Sequence, residues 1–262
     1  MNRVRLSLGG LQTFDGDETL ASNLPIAFDS RLASSAGAAT IVNASAQITP
    51  LETDGARPLS WANPTQITVA VATHTDSDQA IAFSNPLPPH AITLLHAAEH
   101  AWEAVANVHF VEVTDNATSN VSAADIRVGL GQLPSIGFTG YSSDPRTSNF
   151  ISGTTVALDD VGASNVTPLA NGNVRYSGTQ STVFQDLLHE LGHAIGLDHN
   201  PSDTSAIMSP TLSSANPFIT LQDTVMLRAL YGAPSASAVA DAQADSVLSQ
   251  LLPSGVALPV PG

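Results

Sequence analysis

The chain has no cysteine and no lysine among its 262 residues. Without thiols it can form neither a disulfide nor a thiolate ligand, so any metal it binds must be held by nitrogen and oxygen. Aromatic residues are scarce at 5%, and cations are scarcer still: eight arginines stand against 23 acidic residues, for a formal net charge of -15. Such a surface repels phosphate backbones and anionic lipid, which argues against nucleic acid as a partner. No apolar run approaches the ~20 residues of a membrane span. The N-terminal stretch MNRVRLSLGGLQTFDGDE also lacks the continuous apolar core of a signal peptide. A soluble protein is expected, exported, if at all, by another route. The 43% hydrophobic content is ample for a buried core.

Three regions are distinguishable. Residues 1–60 are rich in Ala, Ser, Gly, Asn and Thr and read as a loosely ordered, propeptide-like extension. Residues 61–234 carry regular patterning and form the expected domain. There QITVAVATH alternates and is β-branched, as a strand requires, and VHFVEVTD, ADIRVGLG and TTVALDDV (154–161) read as further strands. Between the first two, SNPLPPHAITLLHAAEHAWEAVANV places Ile92, Leu95, Ala98, Trp102 and Val105 on one stripe of an amphipathic helix. A second helix is expected from Ser181 to about Gly196 and a third over LQDTVMLRALYG. The order predicts an α+β fold, a twisted mixed sheet with helices beside it. Residues 235–262 form an Ala/Ser/Pro-rich tail with one short helix expected over 238–252.

The chemistry concentrates in HELGHAIGLDHN, residues 189–200. At ~100° per residue, Phe184, Leu187, Leu188, Leu191 and Ile195 share one face of the second helix. His189 and His193 lie roughly opposite it, with Asp186 and Glu190 beside them. Two imidazoles four residues apart can take two corners of a tetrahedral zinc. Gly196 can adopt the left-handed conformation that ends a helix, and the reversal swings His199 back as a third ligand. Three ligands leave one position for water, and Glu190 stands beside the first of them as its proton acceptor. A histidine-decorated solvated face is the usual fate of an isolated HxxxH pair, but not of the full spacing. A noncatalytic zinc clip fits the spacing too, though it leaves Glu190 without a role.

The chain resembles the metzincin zinc peptidases, whose motif HExxHxxGxxH is matched by His189, Glu190, His193, Gly196 and His199. Nine residues past His199, SAIMSP is similar to the family's Met-turn, with Met208 as the floor of the site. Within the family it looks most like matrixins and serralysins. The resemblance runs from about residue 64 to 233 and takes in AWEAVANVHFVEVTD, ADIRVGL and LQDTVMLRALYG. It implies a metzincin catalytic domain with a mostly parallel sheet, two long helices, the second bearing the site, and a C-terminal helix. It also implies an extracellular zinc endopeptidase acting on proteins or peptides as a monomer, with Glu190 as general base. The competing reading is a noncatalytic binding module of the same fold. Pro210 stands where serralysins have a tyrosine, and the matrixin cysteine switch is impossible here.

Several weaker signals accompany the motif. Asp125, Asp159 and Asp160 fall where matrixins bind structural calcium, and solvated strand ends are the alternative. Asp186 either orients a zinc ligand or faces water, and Asp223 either supports the site or is an exposed helix acid. His96 and His100, with Glu99 and Glu103 nearby, lack a third partner in sequence and read as a solvated face. FDGD, residues 14–17, is similar to the astacin propeptide motif and reads more simply as a turn.

Overall fold

The computed structural model describes residues 51, 53–54, 57–73, 82–115, 124–133, 136–143 and 150–251. The FDGD segment, most of the N-terminal extension and the last residues of the tail lie outside them.

Alternating β-branched residues build β1 (Ile67–Val71), which pairs in parallel with β3 (Phe110–Glu112) and β4 (Ile126–Gly131). Beyond β4 lies β6 (Ile151–Asp159), also parallel, in a register that sets Ile126 against Thr154 and Gly131 against Asp159. The edge strand β5 (Gly137–Ser143) runs antiparallel to β6, and β2 (Phe83–Asn85) pairs antiparallel with the end of β4. The six-stranded sheet thus has the path β3-β1-β4-β6-β5 and is mainly parallel. Its central strands read as apolar runs because both faces are covered. A small ribbon, β7 (Val166–Pro168) against β8 (Val174–Tyr176), lies outside this sheet.

Strand β6 begins earlier and ends earlier than TTVALDDV suggests, and β5 was not expected at all. Its sequence, GFTGYSS, carries two glycines that lower strand propensity, and pairing to β6 overrides them.

Helix α1 (Pro89–Glu103) enters on prolines, which suit a first turn because they lack the N–H that would go unpaired there. It crosses α2 (Val183–Ala194), and its Trp102 Nε1 donates to the Leu188 carbonyl at 3.0 Å. Burial on α1 is wider than the expected stripe, reaching Ala91, Leu94, Ala97, Ala101, Glu99 and Glu103. The tail accounts for part of the extra width. After α3 (Leu221–Tyr231) come two short helices, α4 (Ala236–Ala244) and α5 (Ser246–Leu251), where a single one was expected. Both pack on α1; Ala242, Leu248 and Leu251 join the main core, and Asp245 hydrogen-bonds His100 Nδ1 at 2.8 Å. Residues just ahead of β1 are also built in, with Leu59 and Trp61 buried in the same core.

Candidate metal centre

Helix α2 starts with a reciprocal cap. The Gln185 N–H donates to Thr182 Oγ1 at 3.3 Å, and the Thr182 N–H donates to Gln185 Oε1 at 3.1 Å. Every residue of the helix is buried, so its histidine face looks into the protein and not into bulk water. Its C-terminal carbonyls, orphaned by the end of the helix, find donors from distant segments. Trp61 Nε1 donates to Ala194 O at 2.9 Å and the Tyr231 hydroxyl to Ile195 O at 3.0 Å. Gly196 then reverses the chain at φ 102°, with the Leu59 carbonyl oxygen 2.6 Å from where a Cβ would stand. Glycine is required there on both counts.

The reversal brings the three histidines of the motif together. His189 Nε2 lies 3.1 Å from His193 Nε2 and 3.2 Å from His199 Nε2. His199 is the most exposed of the three. His189 Nδ1 sits 2.7 Å from Ile207 O, and His193 Nδ1 2.7 Å from Leu197 O. A carbonyl can only accept, so both Nδ1 atoms carry the proton and the facing Nε2 atoms present lone pairs. Burial, and next the neighbouring His193, hold the His189 imidazole down to about 3, against the opposing pull of the Ile207 carbonyl. Lone pairs converging in this way repel one another unless a cation lies among them. A tetrahedral ion with bonds of ~2.0–2.1 Å needs its nitrogens roughly 3.3 Å apart, close to the observed spacing, so this donor set fits zinc.

Beneath the group lies Met208, fully buried. A Cβ on Gly192 would meet Met208 Sδ at 2.5 Å and Trp102 Cζ2 at 3.0 Å. A mid-helix glycine costs ~1 kcal/mol relative to alanine; here it lets the methionine and tryptophan close on the helix. Asp223 is also buried, not an exposed helix acid: its Oδ2 accepts from Thr220 N at 2.8 Å, Thr220 Oγ1 at 2.7 Å and Ile207 N at 3.2 Å. One residue, Ile207, therefore links Asp223 to His189: its N–H donates to the carboxylate and its carbonyl accepts the imidazole proton.

Glu190 is buried beside the histidines, against β5. A Cβ on Gly137 would stand 2.5 Å from Glu190 Oε1 and closer still to Asp186 Oδ1. Asp186 neither orients a histidine nor faces water: it is buried and accepts from the Tyr176 hydroxyl at 2.7 Å. Burial, and then the charge of Glu190, push its carboxyl well above the usual range, while the Tyr176 hydrogen bond opposes the shift. Tyr176, Gly137, Gly192 and Trp61 were not picked out in sequence. Only Gly192 carried a local signal, as a glycine inside a helical pattern.

The three aspartates considered for calcium are not gathered. Asp125 precedes β4, whereas Asp159 ends β6 opposite the far end of β4. Asp125 Oδ2 accepts from Thr68 N and Oγ1, both at 2.8 Å, Asp159 Oδ1 from Leu133 N at 3.0 Å, and Asp160 Oδ2 from Ser84 and Asn85, both at 2.7 Å. Protein donors thus hold one oxygen of each carboxylate. The expected solvated face on α1 is also corrected, since Glu99 and Glu103 are buried and Glu112 of β3 reaches His96.

No curated protein matches the chain. The family model for matrixins, peptidase family M10, matches residues 60–232, the span that holds the sheet, the histidine helix, the Met208 loop and α3. The chain belongs to the matrixin family of metallopeptidases.

Proposed function

We propose that this protein is a zinc endopeptidase that cleaves peptide bonds in protein substrates, with His189, His193 and His199 as the zinc ligands and Glu190 as the general base. The observation that carries the proposal is the convergence of three Nε2 atoms at 3.1–3.2 Å. For two of these ligands a backbone carbonyl fixes the tautomer, leaving the lone pair free for a metal. Zinc held there supplies Lewis acidity, making water acidic enough to act as a nucleophile near neutral pH and polarising a carbonyl.

The chain's own groups supply the rest. Strand β5 ends the sheet path among the described residues and packs against α2, so its outer edge offers a place for an extended peptide beside the histidines. Glu190 Oε accepts the proton of the attacking water and delivers it to the departing amine nitrogen. Gly137 lets β5 approach the Glu190 carboxylate closely, which fixes that carboxylate beside the reacting bond. Met208 and Trp102 pack against α2 at Gly192 and exclude water there. Family membership supports a place of action outside the cell, and we propose that the enzyme works there as a monomer. Calcium has no part in this reading.

Casein or gelatin hydrolysis, measured before and after chelation and again after zinc is restored, tests the proposal. Activity lost to the chelator and regained with zinc is expected. Zinc bound at the three histidines with no cleavage of any protein substrate would instead indicate a noncatalytic binding module.

A further inference from the structure

A second group of ligand-type side chains, separate from the three histidines, lies on α1 and β3. His96 and Glu99, three residues apart, share a face of α1, and Glu112 joins them from β3. One nitrogen of His96 and one oxygen from each carboxylate lie within 4.8 Å of one another, and His96 Nε2 pairs with Glu112 Oε1. We propose that His96, Glu99 and Glu112 form a second metal site, selective for a divalent transition ion such as zinc.

Glu99 provides an observation independent of the clustering. It is only 5% exposed, and its Oε1, shut off from solvent, has no hydrogen-bond partner among the described residues. A buried carboxylate without a donor is expensive to keep. The neighbouring acid does not share this problem, since Glu103 receives the Phe110 N–H at 2.7 Å and His109 Nδ1 at 2.8 Å. A cation bound between Glu99, His96 and Glu112 would satisfy the unpaired oxygen. It would also join α1 to β3, which the Glu103–Phe110 hydrogen bond already ties together.

The ligand types select the ion. One imidazole nitrogen and two carboxylate oxygens suit zinc and its first-row neighbours, whereas calcium takes oxygen ligands and would leave the imidazole unused. Access is open, because His96 also lines a groove of about 550 Å³ between α1 and the tail helices, along with Thr93, His100, Asp241, Asp245 and Val247.

The test is zinc stoichiometry on the full chain, stripped with a chelator and dialysed against zinc alone, with calcium as a control. Wild type is expected to hold two equivalents, and H96Q, E99Q and E112Q one each. An H193A variant, disabled at the histidine centre, is expected to keep one equivalent and to melt at a higher temperature with zinc than without. Adding E112Q, an exposed position that should not disturb folding, is expected to abolish both the equivalent and the shift. Calcium should produce neither. An H193A variant that holds no zinc, or a second equivalent that survives all three substitutions, overturns the site. Because H193A is read separately, failure here is distinguishable from failure at the histidine centre.

Discussion

His189 and Glu190 are adjacent in sequence, yet the fold gives them opposite electrostatic tasks. His189 has its charged form suppressed by burial and its proton fixed on Nδ1 by the Ile207 carbonyl, so its Nε2 is permanently a donor to metal. Asp223 stands behind that arrangement, holding the Ile207 N–H as well as the start of α3. D223A would leave a buried N–H without an acceptor and loosen the carbonyl that orients His189. Zinc affinity, measured by competition with a chromogenic chelator, is expected to fall ~10–100-fold; unchanged affinity would show that Ile207 is held by other means. The grouping of His189, His193 and His199 was legible in the HExxHxxGxxH motif because ligand chemistry fixes both their type and their spacing. The sequence could not identify Asp223 or Asp186 as buried, because burial of an acid depends on contacts across the chain: Tyr176 for Asp186, the Met208 loop for Asp223.

Helix α2 is defined at both ends by parts of the chain distant in sequence. Its start carries a local signal, the Thr182–Gln185 box, but its end depends on Trp61, Tyr231 and Leu59. At Gly196 two demands coincide: a left-handed backbone and no room for a Cβ beside the Leu59 carbonyl. G196A should therefore cost roughly 2–4 kcal/mol, combining backbone strain with displacement of that carbonyl. It should also move His199 away from the other two ligands. Urea unfolding checks the first effect and zinc content the second; a cost below ~0.5 kcal/mol would mean that the turn is not strained. The left-handed turn was legible from the glycine and the histidine after it, but the Leu59 contact was not. Strand β5 was hidden for a related reason: its two glycines weaken the local strand signal, while Gly137 is what allows the strand to lie against Glu190.

At the scale of the molecule, the mainly parallel sheet with helices beside it was legible from strand and helix order. The tail was not, because the apolar spacing of α4 and α5 is ordinary until they cover α1. On the same helix Glu99 is buried. Burial first, then the charges of Glu112 and Glu103, push its carboxyl from 4.5 up to about 8. Between those values the folded chain keeps a proton that the unfolded chain has released. Glu99 thus contributes a penalty that is absent below about 4.5 and grows as pH rises toward about 8. His189 acts in the opposite direction in the metal-free protein, losing stability as pH falls from 6.5 toward about 3, so the comparison must be between variants. With chelator present, E99Q should melt above wild type at pH 8, by on the order of 10 °C for a domain of this size. The gap should close below pH 4.5. A gap independent of pH would show that Glu99 is ionised in the folded protein.

The central claim is that three histidines hold zinc while Glu190 moves the proton. It is tested most directly by zinc content and peptide cleavage measured on the same preparation of E190A. The expected result is wild-type zinc content with cleavage reduced by about 10²–10⁴-fold, the range for loss of a general base. Cleavage at the wild-type rate, or a loss of cleavage that merely parallels a loss of zinc, would contradict it.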